Sequence, residues 1–314
     1  MMPFHSGEIA VQTRAGVREE AERIGQVICN TVKPAALSFL STQQMAIAGT
    51  IASNGTIWAS LLTGNSGFIQ VLNEQTIEIE HTSNFTDILH RNLDSNAEIG
   101  LLIIDLSNRK RLRLNGNVTI QQPEKLQIQI KQAFFNCPKY IQTRYLETSA
   151  IAELPPPEIH TRNTLNSADE SWINQADTFF IATANSTQGA DASHRGGYPG
   201  FVQVINSQTL LFPDYAGNNM FQTLGNLAQN PQAGLLFINF EEGHTLQITG
   251  QAIILWDREL ISAFPGAQRL IKLSISQVLE TRNATSLRWQ FGEYSPANPT
   301  LGEDRKKEDL EKTL

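Results

Sequence analysis

Cysteine is scarce. The 314-residue chain has two, Cys29 and Cys137, which excludes a disulfide framework and a thiolate metal array. Long apolar runs are missing too. GLLIIDL (100–106) and GLLFINF (234–240) are among the longest, far short of the roughly 20 residues a membrane-spanning helix needs. Positive charge is in deficit: 24 Lys and Arg face 31 Asp and Glu, a net charge of −7. Neither a nucleic-acid backbone nor an anionic membrane is an expected partner. The opening MMPFHSGEIAVQ shows no basic region followed by an apolar one, so no secretory signal is legible and a cytoplasmic protein is expected. P-loop, GxGxxG and zinc motifs are absent. His5 and Glu8 lie about one helical turn apart, but two ligands do not make a metal site. What is present is 40% hydrophobic and 18% charged residues, enough for a sizeable globular core.

Ala15, Val17, Ala21, Ile24, Val27 and Ile28 recur at helical spacing. They predict a helix from about Ala15 to Cys29, packed on the outside of the strands beyond it. Lys33-Pro34 breaks it, and a short helix is expected within 35–44. From Met45 the pattern turns to strands: MAIAGTI, IWASLLTG, and a hairpin in GFIQVLNEQTIEIE turning near Asn73 and Glu74. SNFTDILHRNL reads as a short helix, NAEIGLLIIDL and RKRLRLNGNVTIQ as strands. KLQIQIKQAFF is read as a helix, although its alternating start fits a strand equally.

A repeat organises the chain. GFIQV at 67–71 recurs as GFVQV at 200–204, 133 positions on. After one inserted residue, RNLDSNAEIGLLIIDL pairs with GNLAQNPQAGLLFINF, and LRLNGNVTI with LQITGQAII. Such self-similarity implies internal duplication, and two copies suggest β-domains packed about a pseudo-two-fold. The expected domains are a helical arm (1–34), a first barrel (35–154), a stiff Pro-rich linker (155–168), a second barrel (169–293) and a charged, disordered tail (294–314). Within the second, SADESWINQA and LWDRELISAF are expected helices, and GAQRLIKLSISQVLET a final strand.

The stretch 186–224 carries the strongest chemical signal. A polar, Gly-rich loop holds His194 and Arg195; two strands follow, then DYAGNNMFQTL opens a helix. A fixed cation facing the free N–H groups of a helix start suits a phosphate. The phosphate and part of the ring of flavin mononucleotide (FMN) is the ligand this suggests. A surface salt bridge for Arg195 and a solvated His194 are the competing readings. Gly196, Gly197 and Gly200 allow close approach or merely turn the loop. Asn218 and Asn219 are ligand candidates that can also cap the helix. Trp58 either covers the ring from the first copy or is ordinary core. Arg111 and Arg113 share a strand face and are read first as a solvated edge strand; contact with a phosphate or anionic substrate is the alternative. Cys137 has Lys139 nearby but no base evident in sequence, and reads as a packed thiol.

DASHRGGYPGFVQV, TLLFPDYAGNNMFQTLGNLAQNPQAGLLF and LQITGQA resemble the pyridoxamine 5'-phosphate oxidase-like flavoproteins. FHSGE, WASLLTG, RLRLNG and NCPKYIQTR look like the subgroup with the barrel doubled in one chain. The resemblance implies a mainly β (α+β) fold: two tandem FMN-binding split β-barrels with flanking helices. It places FMN where two barrels meet. Ala192 and Ser193 would lie against the ring through backbone groups, and His194, Arg195, Gly196, Asp214, Asn218, Asn219 and Thr223 would line the site, with Trp58 across the interface. The first copy has Leu61 and Leu62 where the second has His194 and Arg195, so one site, centred on the second copy, is expected. The oxidase's Arg and Lys pair is missing at the helix that begins near Asn218; its substrate-gripping basic residues are not recognisable in the tail either, so pyridoxamine phosphate is not the expected substrate. The resulting expectation is an FMN-dependent oxidoreductase acting on a small molecule. The alternative is a non-catalytic flavin- or haem-binding protein, with His194 or His244 as axial ligand. Monomer and homodimer both stay open, since a doubled barrel can satisfy its own interface.

Overall fold

The computed structural model describes residues 3–82, 88–147 and 154–300. The first half contains α1 (Ser6–Arg14), α2 (Arg18–Gly25), α3 (Pro34–Leu40), β1 (Met45–Ile51), β2 (Ile57–Thr63), β3 (Ile69–Asn73), β4 (Thr76–Glu80), α4 (Ile88–Ser95), β5 (Glu98–Asp105), β6 (Lys110–Gln122), β7 (Lys125–Asn136) and β8 (Arg144–Leu146). The second contains β9 (Glu158–Arg162), α5 (Ser167–Gln175), β10 (Thr178–Asn185), β11 (Gly189–Gly196), β12 (Gln203–Asn206), β13 (Thr209–Tyr215), α6 (Gln222–Gln229), β14 (Gln232–Asn239), β15 (His244–Leu255), α7 (Arg258–Ser262), β16 (Ala267–Arg282) and β17 (Trp289–Phe291). The fold is mainly β and antiparallel. One sheet runs β2-β1-β5-β6-β7-β4-β3 and the other β11-β10-β14-β15-β16-β13-β12, the same order in both halves. Even the irregularities recur. The ladder shifts register at Asn115/Gly116 and again at Thr249/Gly250. At each shift the facing strand runs close over the glycine. A Cβ would lie 2.1 Å from the Gln129 carbonyl oxygen at Gly116, and 2.1 Å from that of Ser274 at Gly250.

Each half has its own core, and a third apolar cluster joins them. Phe179 packs against Phe201, Phe212 and Phe237 in the second barrel. Ile47, Ile57 and Leu102 of the first half meet Phe180, Ala182 and Leu236 of the second. The contact is reciprocal. Gly100 abuts Asp191, 2.4 Å from a notional Cβ, and Gly234 abuts Trp58 at 2.7 Å. Those two pairs occupy matching positions of the repeat.

Several elements differ from the sequence reading. The helix predicted at 15–29 is the shorter α2, and a separate helix, α1, lies ahead of it. α1 starts at a capping box in which the His5 ring accepts from the Gly7 N–H and Glu8 accepts from the His5 N–H. Gly16, at φ 73°, ends it in the left-handed conformation. KLQIQIKQAFF is strand β7, with Leu126, Ile128 and Ile130 buried in strict alternation. The Gly-rich loop around His194 is strand β11, paired with β10 from Thr178↔Gly196 to Asn185↔Gly189. The expected linker carries β9, which pairs with β16. Tail residues 301–314 lie outside the described residues. No helix among the described residues is long and apolar enough to cross a membrane.

Candidate functional site

A cleft opens where β11, β13 and the start of α6 face β6 and the residues after β7. Its walls bring together Ser193, His194, Arg195, Gly196, Asp214, Asn218 and Thr223. From the first half come Arg111, Arg113, Asn136, Cys137 and Tyr140. Three of the expected residues lie elsewhere. Ala192 is fully buried in the inter-barrel cluster. Trp58 is 2% exposed in β2, outside the cleft, with its indole N–H donating to Thr56 Oγ1 at 3.3 Å. Asn219 turns away to Glu20 Oε2 at 2.9 Å.

The cleft is rich in cations, and their pairing separates them. Arg195 donates to Asp214 Oδ1 at 3.0 Å, and Arg269 holds the other oxygen at 2.9 Å. Arg113 is 4% exposed, with its Nε 3.0 Å from Asp191 Oδ1, and it also donates to Ser193 Oγ and Gln222 Oε1. Burial raises the Asp191 carboxyl and lowers the Arg113 guanidinium, and their pairing offsets both. Arg111 differs: among the described residues it has no carboxylate partner. It donates to the Cys137 carbonyl at 2.9 Å and reaches His194 Nδ1 at 3.2 Å. Burial brings Arg111 down to about 10, so it remains charged at neutral pH.

His194 is neutral. Burial, then Arg111, Arg195 and Arg144, hold it well below the usual imidazole range. A guanidinium only donates, so Nδ1 accepts and the ring proton sits on Nε2. Among the described residues that buried Nε2 has no hydrogen-bond partner, and neither does Arg195 Nε. Helix α6 begins at Gln222 rather than near Asn218. Its N-cap, Phe221, sits at φ 58° and offers no side-chain cap, so among the described residues no capping side chain takes up the first-turn N–H groups beside the cleft. Asn218 instead accepts from the Met220 N–H at 3.2 Å and donates to Asn136 Oδ1 at 3.2 Å. Thr223 Oγ1 bonds Ser193 Oγ at 3.0 Å. Tyr140 and Tyr215 rings lie 5.2 Å apart, and the Tyr140 hydroxyl donates to the Ala216 carbonyl at 2.8 Å. Free donors, an uncompensated guanidinium and aromatic flanks fit a planar ring bearing an anionic group.

Sequence reasoning named Arg111 and Arg113 but preferred an edge strand for them. β6 is internal, between β5 and β7. The available signal was their spacing of two, which puts both side chains on one face. Asn136, Tyr140 and Gln222 carried no signal of their own. His244 lies outside the cleft and accepts from the Asn283 N–H at 3.1 Å.

Fold and cleft define a class, a split-barrel protein whose two barrels pair within one chain. Residues 165–290, spanning the second barrel, match the family model of pyridoxamine 5'-phosphate oxidase. Among solved structures it is similar to HupZ of Group A Streptococcus, at 12% identity over 36% of this chain and 90% of that one, TM-score 0.31. A putative pyridoxamine 5'-phosphate oxidase of Lactobacillus delbrueckii matches at 13% identity, over 37% and 98%, TM-score 0.30. A flavin adenine dinucleotide (FAD)-binding protein of Mycobacterium smegmatis matches at 12% identity, over 38% and 98%, TM-score 0.28. The chain has no match among curated proteins.

Proposed function

We propose that the cleft binds a flavin, with FMN the form its charge suits, and that the protein is an oxidoreductase acting on a small molecule. The observation that carries this reading is Arg111, a charged guanidinium without a carboxylate, set in the same cleft as the uncapped start of α6. Together they supply a bidentate fork and oriented N–H groups for a phosphate. Arg195, Asn218, Thr223 and the Gly196 backbone complete the proposed wall. His194 Nε2–H is the donor offered to a ring acceptor, and Tyr140 and Tyr215 flank it. A bound flavin supplies hydride or electron transfer; the chain binds it, orients it and limits its contact with water. Asp214 keeps Arg195 and Arg269 in place rather than meeting the anion.

The test is the absorption spectrum of the purified protein after incubation with FMN, followed by a flavin-fluorescence titration. Bound flavin with a band near ~450 nm supports the reading, whereas a haem band near ~400 nm or no chromophore overturns it.

A further inference from the structure

Helix α1 crosses α6 with backbone against backbone. A Cβ on Gly7 would lie 2.2 Å from the Gly225 carbonyl oxygen, and one on Gly225 2.6 Å from Glu8 Cα. Only glycine fits at either position. The crossing buries Glu8 completely, at 0% exposure. Its Oε2 accepts the His5 N–H at 2.7 Å, while Oε1 has no hydrogen-bond partner among the described residues. Glu8 lines a small cavity with Asn115, Asp191, Gln222 and Asn226, and Gln222 also lines the cleft.

The ionisable groups around Glu8 come from three elements. At the N-cap of α1, His5 Nε2 stands 3.5 Å from Oε2; burial keeps that ring neutral, and Nε2 is tied to Asn226 Oδ1 at 3.0 Å. From β11 comes Asp191 and from β6 Arg113, already paired to each other at 3.0 Å. α6 and β10 contribute uncharged Gln222, Asn226 and Asn185. One guanidinium therefore faces two carboxyls, and ionising both would leave a buried anion without compensation. Burial above all pushes Glu8 up to about 8; Asp191 adds to this, against the pull of the His5 N–H and Arg113.

We propose that α1 is a proton-latched arm: the neutral Glu8 carboxyl seats it on α6 and β11, making Glu8 a positioning residue for Arg113 and Gln222 at the cleft wall. Ionised, Glu8 places a second anion beside Asp191, and the arm lifts to return it to water. The sign comes from proton counts. Seated Glu8 keeps a proton that the lifted arm gives up near 4.5. Seating therefore weakens as pH rises from about 4.5 to about 8, by up to about tenfold per pH unit, and levels off above that. His5 acts oppositely, since lifting lets it gain a proton below about 6.5.

Hydrogen exchange of the full chain tests the latch, read on residues 6–14 against α5 and corrected for intrinsic exchange. Between pH 6 and pH 8 the opening constant of wild-type α1 should rise by more than about tenfold, and Glu8→Gln should be flat. A flat wild-type profile, or the wild-type slope in Glu8→Gln, overturns the latch. Gly7→Ala is the second variant: it should expose α1 at every pH with no slope, and a protected, sloping arm overturns the crossing's role. The positioning claim rests on the flavin reading. Wild-type FMN affinity should weaken from pH 6 to pH 8 while that of Glu8→Gln does not. FMN binding without that slope overturns positioning. No FMN binding at any pH overturns the flavin reading alone, since exchange still decides the latch.

Discussion

Arg111 and Arg195 are both arginines in one cleft, but their partners give them different work. Arg195 is neutralised by Asp214, which Arg269 also holds, whereas Arg111 faces a neutral imidazole and a thiol. Arg111→Ala should therefore weaken FMN binding about 10- to 100-fold, the worth of one charge-assisted contact, with little change in melting temperature; a flavin-fluorescence titration checks it. Arg195→Ala should cost stability as well, because Asp214 loses one of two cations. His194 makes an acid-side prediction. Its folded value is held well below 6.5, so the unfolded chain binds the extra proton, and stability falls as pH drops below about 6.5. His194→Gln should flatten that part of the loss in melting temperatures taken from pH 7 to pH 5.

At the scale of elements, strand β6 and its equivalent β15 each depend on a glycine-centred bulge. Gly250→Ala forces a methyl onto the Ser274 carbonyl, 2.1 Å away. Overpacking of this kind costs about 1–3 kcal/mol, measurable by urea unfolding, and Gly116→Ala should behave alike. The elements that sequence misread share a cause. β11 is buried on both sides, so polar residues replace alternation, and its glycines read as a loop. β7 shows its alternation plainly, yet Ala133 and Phe134 are buried side by side and blur the strand period at its end. α1 is fixed by a capping box and a left-handed glycine rather than by an apolar stripe.

Across the whole molecule, the equivalent positions of the two halves are not equivalent in charge. Where the cleft has Arg111 and Arg113, the other half has Thr245 and Gln247, in the same register against β14. Gln247 donates to Ser60 Oγ at 3.0 Å, matching the contact of Arg113 with Ser193. Leu61 and Leu62 stand for His194 and Arg195. Flavin titration should therefore reach about one FMN per chain, and two per chain contradicts this assignment. Because both halves build the cleft, Phe180→Ala in the joining cluster should lower stability by about 3–5 kcal/mol and weaken FMN binding together; unfolding and titration on the same preparation check both.

The paired β-architecture was legible in the amino-acid order alone, because the repeat and the strand periods are local patterns that survive without coordinates. So was the neighbourhood of the cleft, since Ser193, His194, Arg195, Asp214, Asn218 and Thr223 fall close together in one stretch. Which cation is free was settled in three dimensions. Charge compensation depends on partners distant in the chain: Asp214 with Arg269, Asp191 with Arg113, and Arg111 with His194. Folding also moved Trp58 and Asn219 off the cleft and brought Glu8 beneath its wall, through a helix crossing that two glycines permit and no sequence period announces.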